Sequence, residues 1–162
     1  MEAYGLGQRL GIATEEASVI LDAYFEAFPN VKAYMERTVV EARMRGYTET
    51  LFGRRRPIPE LSNSNFRIRQ AGERQAMNAG IQGLAADIFK VALVRIDEAL
   101  VERAVASRIV LQVHDEVLVE VPDHEREVVG PLVIGIMRHA AALDVPLEVN
   151  VAWGANWADA KT

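Results

Sequence analysis

Three adjacent ionisable residues, His114, Asp115 and Glu116, stand between two strand-length aliphatic runs, 109–113 and 117–121. Val, Ile and Leu dominate both runs and neither contains Gly or Pro, so the expected structure is a β-hairpin with the polar residues at its tip. Two-residue hairpin turns favour Asn-Gly or Asp-Gly. A His-Asp tip therefore suggests selection by something other than turn chemistry. Adjacent carboxylates at the end of a rigid ribbon suit a hard, oxygen-seeking cation such as magnesium. On these residues alone, a polar hairpin tip without a task is the alternative.

A second candidate is a run of arginines. The chain carries a net charge of −5, yet residues 43–74 hold eight Arg, no Lys and three Glu, and are positive. Such a segment in an otherwise acidic chain is either a localised phosphate-binding surface or a set of arginines paired with acidic neighbours. At its centre lies Gly53-Arg54-Arg55-Arg56-Pro57-Ile58-Pro59, where three like charges repel unless a polyanion lies nearby. Downstream, Gln70, Arg74, Asn78 and Gln82 recur every four residues. On a helix each step of four advances only about 40°, so they form a slanting polar row. An ordinary solvent face carries Lys and Glu pairs; directed Arg, Asn and Gln groups suit a surface that reads molecular edges.

The elements that position these groups follow from pattern. With 162 residues, half of them hydrophobic, the chain suffices for one domain with a core. No apolar run approaches the roughly 20 residues that span a bilayer. The N-terminus lacks the basic-then-apolar order of a signal peptide, and there is no cysteine. A soluble cytoplasmic protein without membrane attachment is expected. Thr14 is the expected N-cap of a helix running to Pro29, with Asn30 capping a second helix that Gly46 closes. These two helices are expected to pack as a hairpin. Residues 47–52 form a short strand at best. From about Asn65 to Arg103 no proline interrupts a long helical pattern, with Gly80 and Gly83 as points where it would kink or loosen. Ile81, Leu84, Ile88, Val91, Ala92, Val94 or Arg95, and Ala99 mark its expected buried stripe. Asp123 is the expected N-cap of a helix running to about Ala142. Residues 146–151 read as a final strand, and 154–157 begin a short terminal helix or turn. The fold class is α+β: helices first, then a long helix and a small, mainly antiparallel sheet with flanking helices.

At this point the sequence resembles the family A DNA polymerases, the bacterial DNA polymerase I type. Leu111-Gln112-Val113-His114-Asp115-Glu116 is similar to the family's third polymerase motif. Residues 46–56 (GYTETLFGRRR) resemble its stretch between fingers and palm. Glu73-Arg74, Asn78, Ile81-Gln82-Gly83 and Ala85-Ala86-Asp87 resemble its long palm helix. Ala3-Tyr4-Gly5-Leu6, Val145-Pro146-Leu147-Glu148-Val149 and Trp157 resemble segments at the two ends, so the likeness runs through essentially the whole chain in one order.

The resemblance implies a C-terminal polymerase portion, about 1–46 partial fingers and about 47–162 palm-like. It implies deoxynucleotidyl transfer from a triphosphate to a primer 3′-hydroxyl, with two magnesium ions at the reacting phosphate. Asp115 becomes the metal-binding catalytic carboxylate and Glu116 a supporting acid. Gln112 and His114 contact the primer terminus. Arg74, Asn78 and Gln82 lie along the minor groove, whose acceptors are largely degenerate between sequences. Arg54, Arg55 and Arg56 contact DNA phosphates or brace the neighbouring strand. The partners are primer-template DNA and deoxynucleoside triphosphates.

The family's other essential aspartate and its nucleotide-binding helix lie upstream of the position where Met1 aligns. The isolated chain is therefore expected to be inactive, only marginally stable, and prone to self-association through an exposed sheet edge. A non-catalytic DNA-binding module is the alternative. Local departures from the family pattern are Glu2 for a small polar residue, Gly80 for a proline and Pro57 for an aromatic. Gly80 is expected to loosen the helix before Gln82.

Overall fold

The computed structural model describes residues 3–161, so the departure at Glu2 lies outside the described residues. Two compact units divide the chain, Met1–Leu84 and Ala85–Thr162.

The first unit begins with α1 (Ala3–Leu10) and α2 (Thr14–Ala27). The sequence pattern did not announce α1, whose Gly5 and Gly7 are poor helix formers. Gly7 is needed because the chain turns back on it. Ile12 N donates to its carbonyl at 3.1 Å, and a Cβ there would sit 3.0 Å from Ile12 O. Helix α2 starts one residue earlier than its Thr suggested. Ala13, in extended conformation, is the N-cap, and its carbonyl accepts from Ala17 N at 3.0 Å. Thr14 is thus the first helical residue and no side chain caps the helix.

Phe28 closes α2 and also stands before α3 (Pro29–Arg45). Pro29 occupies the first helical turn, where its missing N–H costs nothing, so Asn30 lies inside the helix rather than capping it. Helix α2 packs chiefly on α1; it meets α3 only sparsely, leaving Tyr24, Phe28 and Val31 exposed where a packed hairpin was expected. Gly46, at φ 78°, ends α3 in the left-handed conformation, its N–H reaching Ala42 O at 2.8 Å.

Strands β1 (Tyr47–Glu49) and β2 (Arg55–Pro57) pair antiparallel, with Thr48 opposite Arg56. A 3-10 helix, Pro59–Ser62, leads to α4 (Phe66–Glu102). The core of this unit is Ala42, Ile58, Leu61 and Ala76.

Helix α4 runs unbroken through Gly80 and Gly83, where a kink or loosening was expected. The glycines serve approach rather than flexibility. A Cβ at Gly80 would meet Tyr34 Oη at 3.0 Å, and one at Gly83 would meet Thr50 Cγ2 at 2.7 Å. At Gly72 the obstacles are Glu60 Cβ at 2.9 Å and Leu61 N at 3.1 Å.

The second unit holds the rest of α4, a hairpin of β3 (Arg108–Val113) and β4 (Glu116–Glu120), α5 (Arg126–Arg138) and the short α6 (Trp157–Ala160). Its core is Ile96, Leu100, Val129 and Val133, ringed by Ile109, Val117, Val119 and Val121 among others. The buried stripe of α4 thus includes Ile96 and Leu100, while Ile81 and Val94 of the expected stripe are 59% and 57% exposed. A helical period locates a face but not which of two apolar faces finds a partner.

Asp123 begins a 3-10 turn, and α5 follows only from Arg126 and ends at Arg138, short of the expected Ala142. Gly130 is buried in α5 with Trp153 Cζ2 3.1 Å from where its Cβ would stand. Residues 146–151 form no strand. Alternating Leu147, Val149 and Val151 give strand-like periodicity, but a strand exists only with a ladder partner. Among the described residues each strand pairs only within its own hairpin. The α+β class therefore stands as helices with two separate two-stranded antiparallel hairpins.

Candidate functional site

In the first unit, the polar row emerges on the first half of α4. Arg74, Asn78 and Gln82 are exposed and Gln70 is half-buried, whereas Gly72, Ala76 and Ala79 are buried. The exposure follows from composition. Small residues let one side of the helix approach its neighbours, and the long amide and guanidinium side chains occupy the other.

The three consecutive arginines are solved one by one. Arg54 Nη2 donates to the carbonyl of Gly83 at 2.6 Å. Arg55 Nε donates to Glu49 Oε2 at 2.6 Å, across the β1–β2 pair, and its guanidinium lies 4.9 Å from the Tyr47 ring centroid. With the Gln75 amide turned so that its oxygen faces Arg56, that oxygen accepts from Arg56 Nη2 at 2.6 Å. Each guanidinium therefore has an acceptor within the protein, which offsets the repulsion that three adjacent charges would otherwise create. The Glu49 partner holds the Arg55 pKa above its ordinary value. Arg43 pairs with Glu73 of α4 in the same manner.

In the second unit, β3 and β4 pair from Arg108–Glu120 to Val113–Glu116, leaving His114 and Asp115 as a two-residue loop. Val110 is an extra residue between the pairs at Ile109 and Leu111, a bulge that re-aims the strand. His114 has φ 52°, in the left-handed region. That conformation is unusual for a side-chain-bearing residue, and such positions cluster at functional sites. Gln112 Nε2 donates to the His114 carbonyl at 2.6 Å and so pins this turn.

The two acids at the tip differ. Glu116 Oε2 accepts from the Trp157 indole Nε1 at 3.3 Å and lies 3.4 Å from Lys161 Nζ. Asp115 is exposed, and among the described residues no hydrogen bond or ion pair engages its carboxylate. No group of three or more His, Asp or Glu side chains able to hold a metal comes together among the described residues. The hairpin tip thus offers one uncommitted carboxylate, a single ligand for a hard cation and not a complete site.

The root of the hairpin is clasped by a residue expected to do something else. Glu125 lies two residues past Asp123, the expected N-cap, and so near the positive end of the expected helix. Instead its carboxylate accepts from Ser107 Oγ at 2.5 Å, from Ala106 N at 2.8 Å and from Ser107 N at 3.0 Å. These bonds, the Ser107 hydroxyl foremost, hold its pKa below the ordinary carboxylate value. Neither this clasp nor the Trp157 and Lys161 contacts has a local sequence signal, since the partners lie 18 and more residues apart.

No helix among the described residues is long and apolar enough to cross a membrane.

The model of DNA polymerase family A matches residues 1–159. DNA polymerase I of Mycobacterium bovis is 54% identical over 157 residues, covering 97% of this chain and 17% of that protein. DNA polymerase I of Bacillus subtilis is 52% identical over 158 residues, covering 98% and 18%. A solved structure, the POL domain of Pol1 from M. smegmatis in complex with DNA primer-template and dNTP, superposes with a TM-score of 0.96 at 50% identity. It covers 99% of this chain and 28% of that one. The chain belongs to DNA polymerase family A. It spans less than a fifth of the length of these curated relatives.

Proposed function

We propose that this chain is the palm and partial-fingers portion of a DNA-directed DNA polymerase, with residues 1–46 fingers-like and 47–162 palm-like. The observation that carries this reading is Asp115, an unengaged carboxylate on a pinned left-handed hairpin tip, in a chain of this family. Asp115 is the carboxylate that holds a divalent cation, magnesium by the chemistry of its oxygen ligand. When bound, a pair of such ions supplies charge stabilisation and alignment at the phosphate under attack. The chain's own residues do the rest. Gln112 fixes the turn, His114 presents its ring toward the primer terminus, and Arg74, Asn78 and Gln82 contact minor-groove acceptors and test pair shape without reading identity. The internal partners of Arg54, Arg55 and Arg56 favour bracing of β1–β2 over phosphate contact.

These 162 residues alone bind primer-template without extending it, because the tip offers a single free carboxylate. The open edge of β3, with Val110 and Leu111 exposed beside Leu93 and Val94 of α4, favours self-association of the isolated chain.

A chimera tests the reading. This chain replaces its aligned counterpart in B. subtilis DNA polymerase I, and primer extension is measured. Extension that disappears on Asp115→Ala supports the polymerase reading. A folded chimera that binds primer-template but never extends it would leave only the DNA-binding module.

A further inference from the structure

Glu116 is the second carboxylate of the hairpin tip, yet its partners come from the far end of the chain. It is the first residue of β4, paired with Val113, so whatever holds it holds the root of the two-residue loop. Trp157 donates its indole N–H to Glu116 Oε2, and Lys161 Nζ approaches the same oxygen. The two donors are fixed to one another, with Lys161 Nζ 4.5 Å from the Trp157 ring centroid.

Their support is itself closed. The Asn156 side chain accepts from Ala158 N and Asp159 N at 3.0 and 3.2 Å, and donates to Asp159 Oδ2 at 2.6 Å. A Cβ at Gly154 would lie 2.5 Å from Ala160 N, so the backbone of α6 folds directly onto residue 154. An isolated surface ion pair contributes little. Here an aromatic donor and a cation converge on one oxygen from a tightly turned segment, while a two-stranded hairpin by itself is only marginally ordered.

We propose that Trp157 and Lys161 are positioning residues that latch Glu116 to α6, hold the hairpin tip in register, and leave Asp115 as the carboxylate offered to a divalent cation. The second half of this statement rests on the polymerase reading of Asp115; the latch does not. The latch also separates the two neighbouring acids in role. Lys161 offsets the charge of Glu116, so that Glu116 neither repels Asp115 strongly nor competes with it for the cation.

The test uses the 162-residue chain with two readouts by NMR, amide exchange of residues 113–116 and paramagnetic broadening by Mn²⁺ at the tip. Trp157→Phe keeps an aromatic ring and the charge count, and removes the indole N–H together with the five-membered ring that carries it. It is expected to speed exchange at the tip about fivefold or more. By freeing Glu116 beside Asp115 it is expected to tighten Mn²⁺ binding there about fivefold, and this gain disappears in Trp157→Phe combined with Glu116→Gln. Lys161→Gln is expected to speed exchange similarly, and Lys161→Arg to restore it.

Unchanged tip exchange in both Trp157→Phe and Lys161→Gln, with spectra elsewhere native, overturns the latch. If exchange responds as stated but Mn²⁺ broadens nothing at Asp115 in any variant, the latch stands. The assignment of Asp115 as a cation ligand in this chain then fails, while the polymerase reading is decided by the chimera.

Discussion

The two units reach order by different means. Around the first half of α4, Gly72, Gly80 and Gly83 let a strand turn, a 3-10 helix and Tyr34 approach the helix closely, while Arg43–Glu73 ties α3 to the helix and Arg55–Glu49 ties β1 to β2. Around the hairpin, branched aliphatics do the work, with Ile96 and Val129 fully buried between α4, α5 and the inner hairpin face. The same contrast runs through their charged groups. The three adjacent arginines look functional in sequence, yet each guanidinium has an acceptor within the protein, whereas one of the two acids at the hairpin tip has no such partner among the described residues. An ionisable cluster is a structural feature when its partners are internal and a candidate site when one member is left over.

The largest effect should come from that uncommitted member. In the chimera, Asp115→Ala is expected to lower primer extension about a thousandfold or more, the equivalent of several kcal/mol of lost charge stabilisation. As an exposed loop position it should change stability by no more than about 0.5 kcal/mol in urea unfolding. A large loss of stability would place Asp115 among the structural charges and erase the contrast.

Next in size is the aliphatic core. Ile96→Ala should cost about 2–5 kcal/mol, because the removed methyl groups leave a cavity among fully buried neighbours. Ile81→Ala, on the exposed side of the same helix, should fall within about 0.5 kcal/mol of zero. Similar values for the two would mean that α4 is packed otherwise than described.

Glycine substitutions separate the units more finely. Gly72→Ala brings a Cβ against the Leu61 backbone, which cannot yield as a flexible side chain would, and should cost about 1–3 kcal/mol from overpacking despite the gain in helix propensity. Gly135→Ala in α5 meets nothing within 4 Å and should stabilise by about 0.5–1 kcal/mol. Thermal unfolding of both variants decides whether the glycines of α4 exist for approach.

The smallest effect is one of pH. Because its hydrogen bonds depress the folded pKa of Glu125, its contribution is fully present above the unfolded carboxylate value of about 4.3. That contribution is lost as pH falls through the lower folded value. The stability difference between the wild type and Glu125→Gln should therefore be largest near neutrality and shrink below about pH 4. A difference independent of pH would show that the clasp on Ala106 and Ser107 does not depend on charge.

Local patterns carried much of this in advance. An unbroken helical period without proline announced α4 to within a residue or so at each end, two proline-free aliphatic runs announced β3 and β4, and Gly46 marked the end of α3 by its conformational freedom. The His114-Asp115 tip was legible because its residues are wrong for a tight turn. The errors share one cause. Residues 146–151 alternate like a strand but lack a ladder partner among the described residues; Val94 and Ile81 fit an apolar stripe yet stand exposed; Gly80 and Gly83 look like weak points but are contact points.

The sequence by itself thus determined the family, the long helix α4, the β3–β4 hairpin and the candidate acid, because motif, period and turn chemistry are written in neighbouring residues. Only the tertiary structure decided which charges are spent internally, which face of α4 is core, and that Trp157 and Lys161 reach Glu116. Those outcomes depend on residues tens of positions apart meeting in space, and no local spacing records such a meeting.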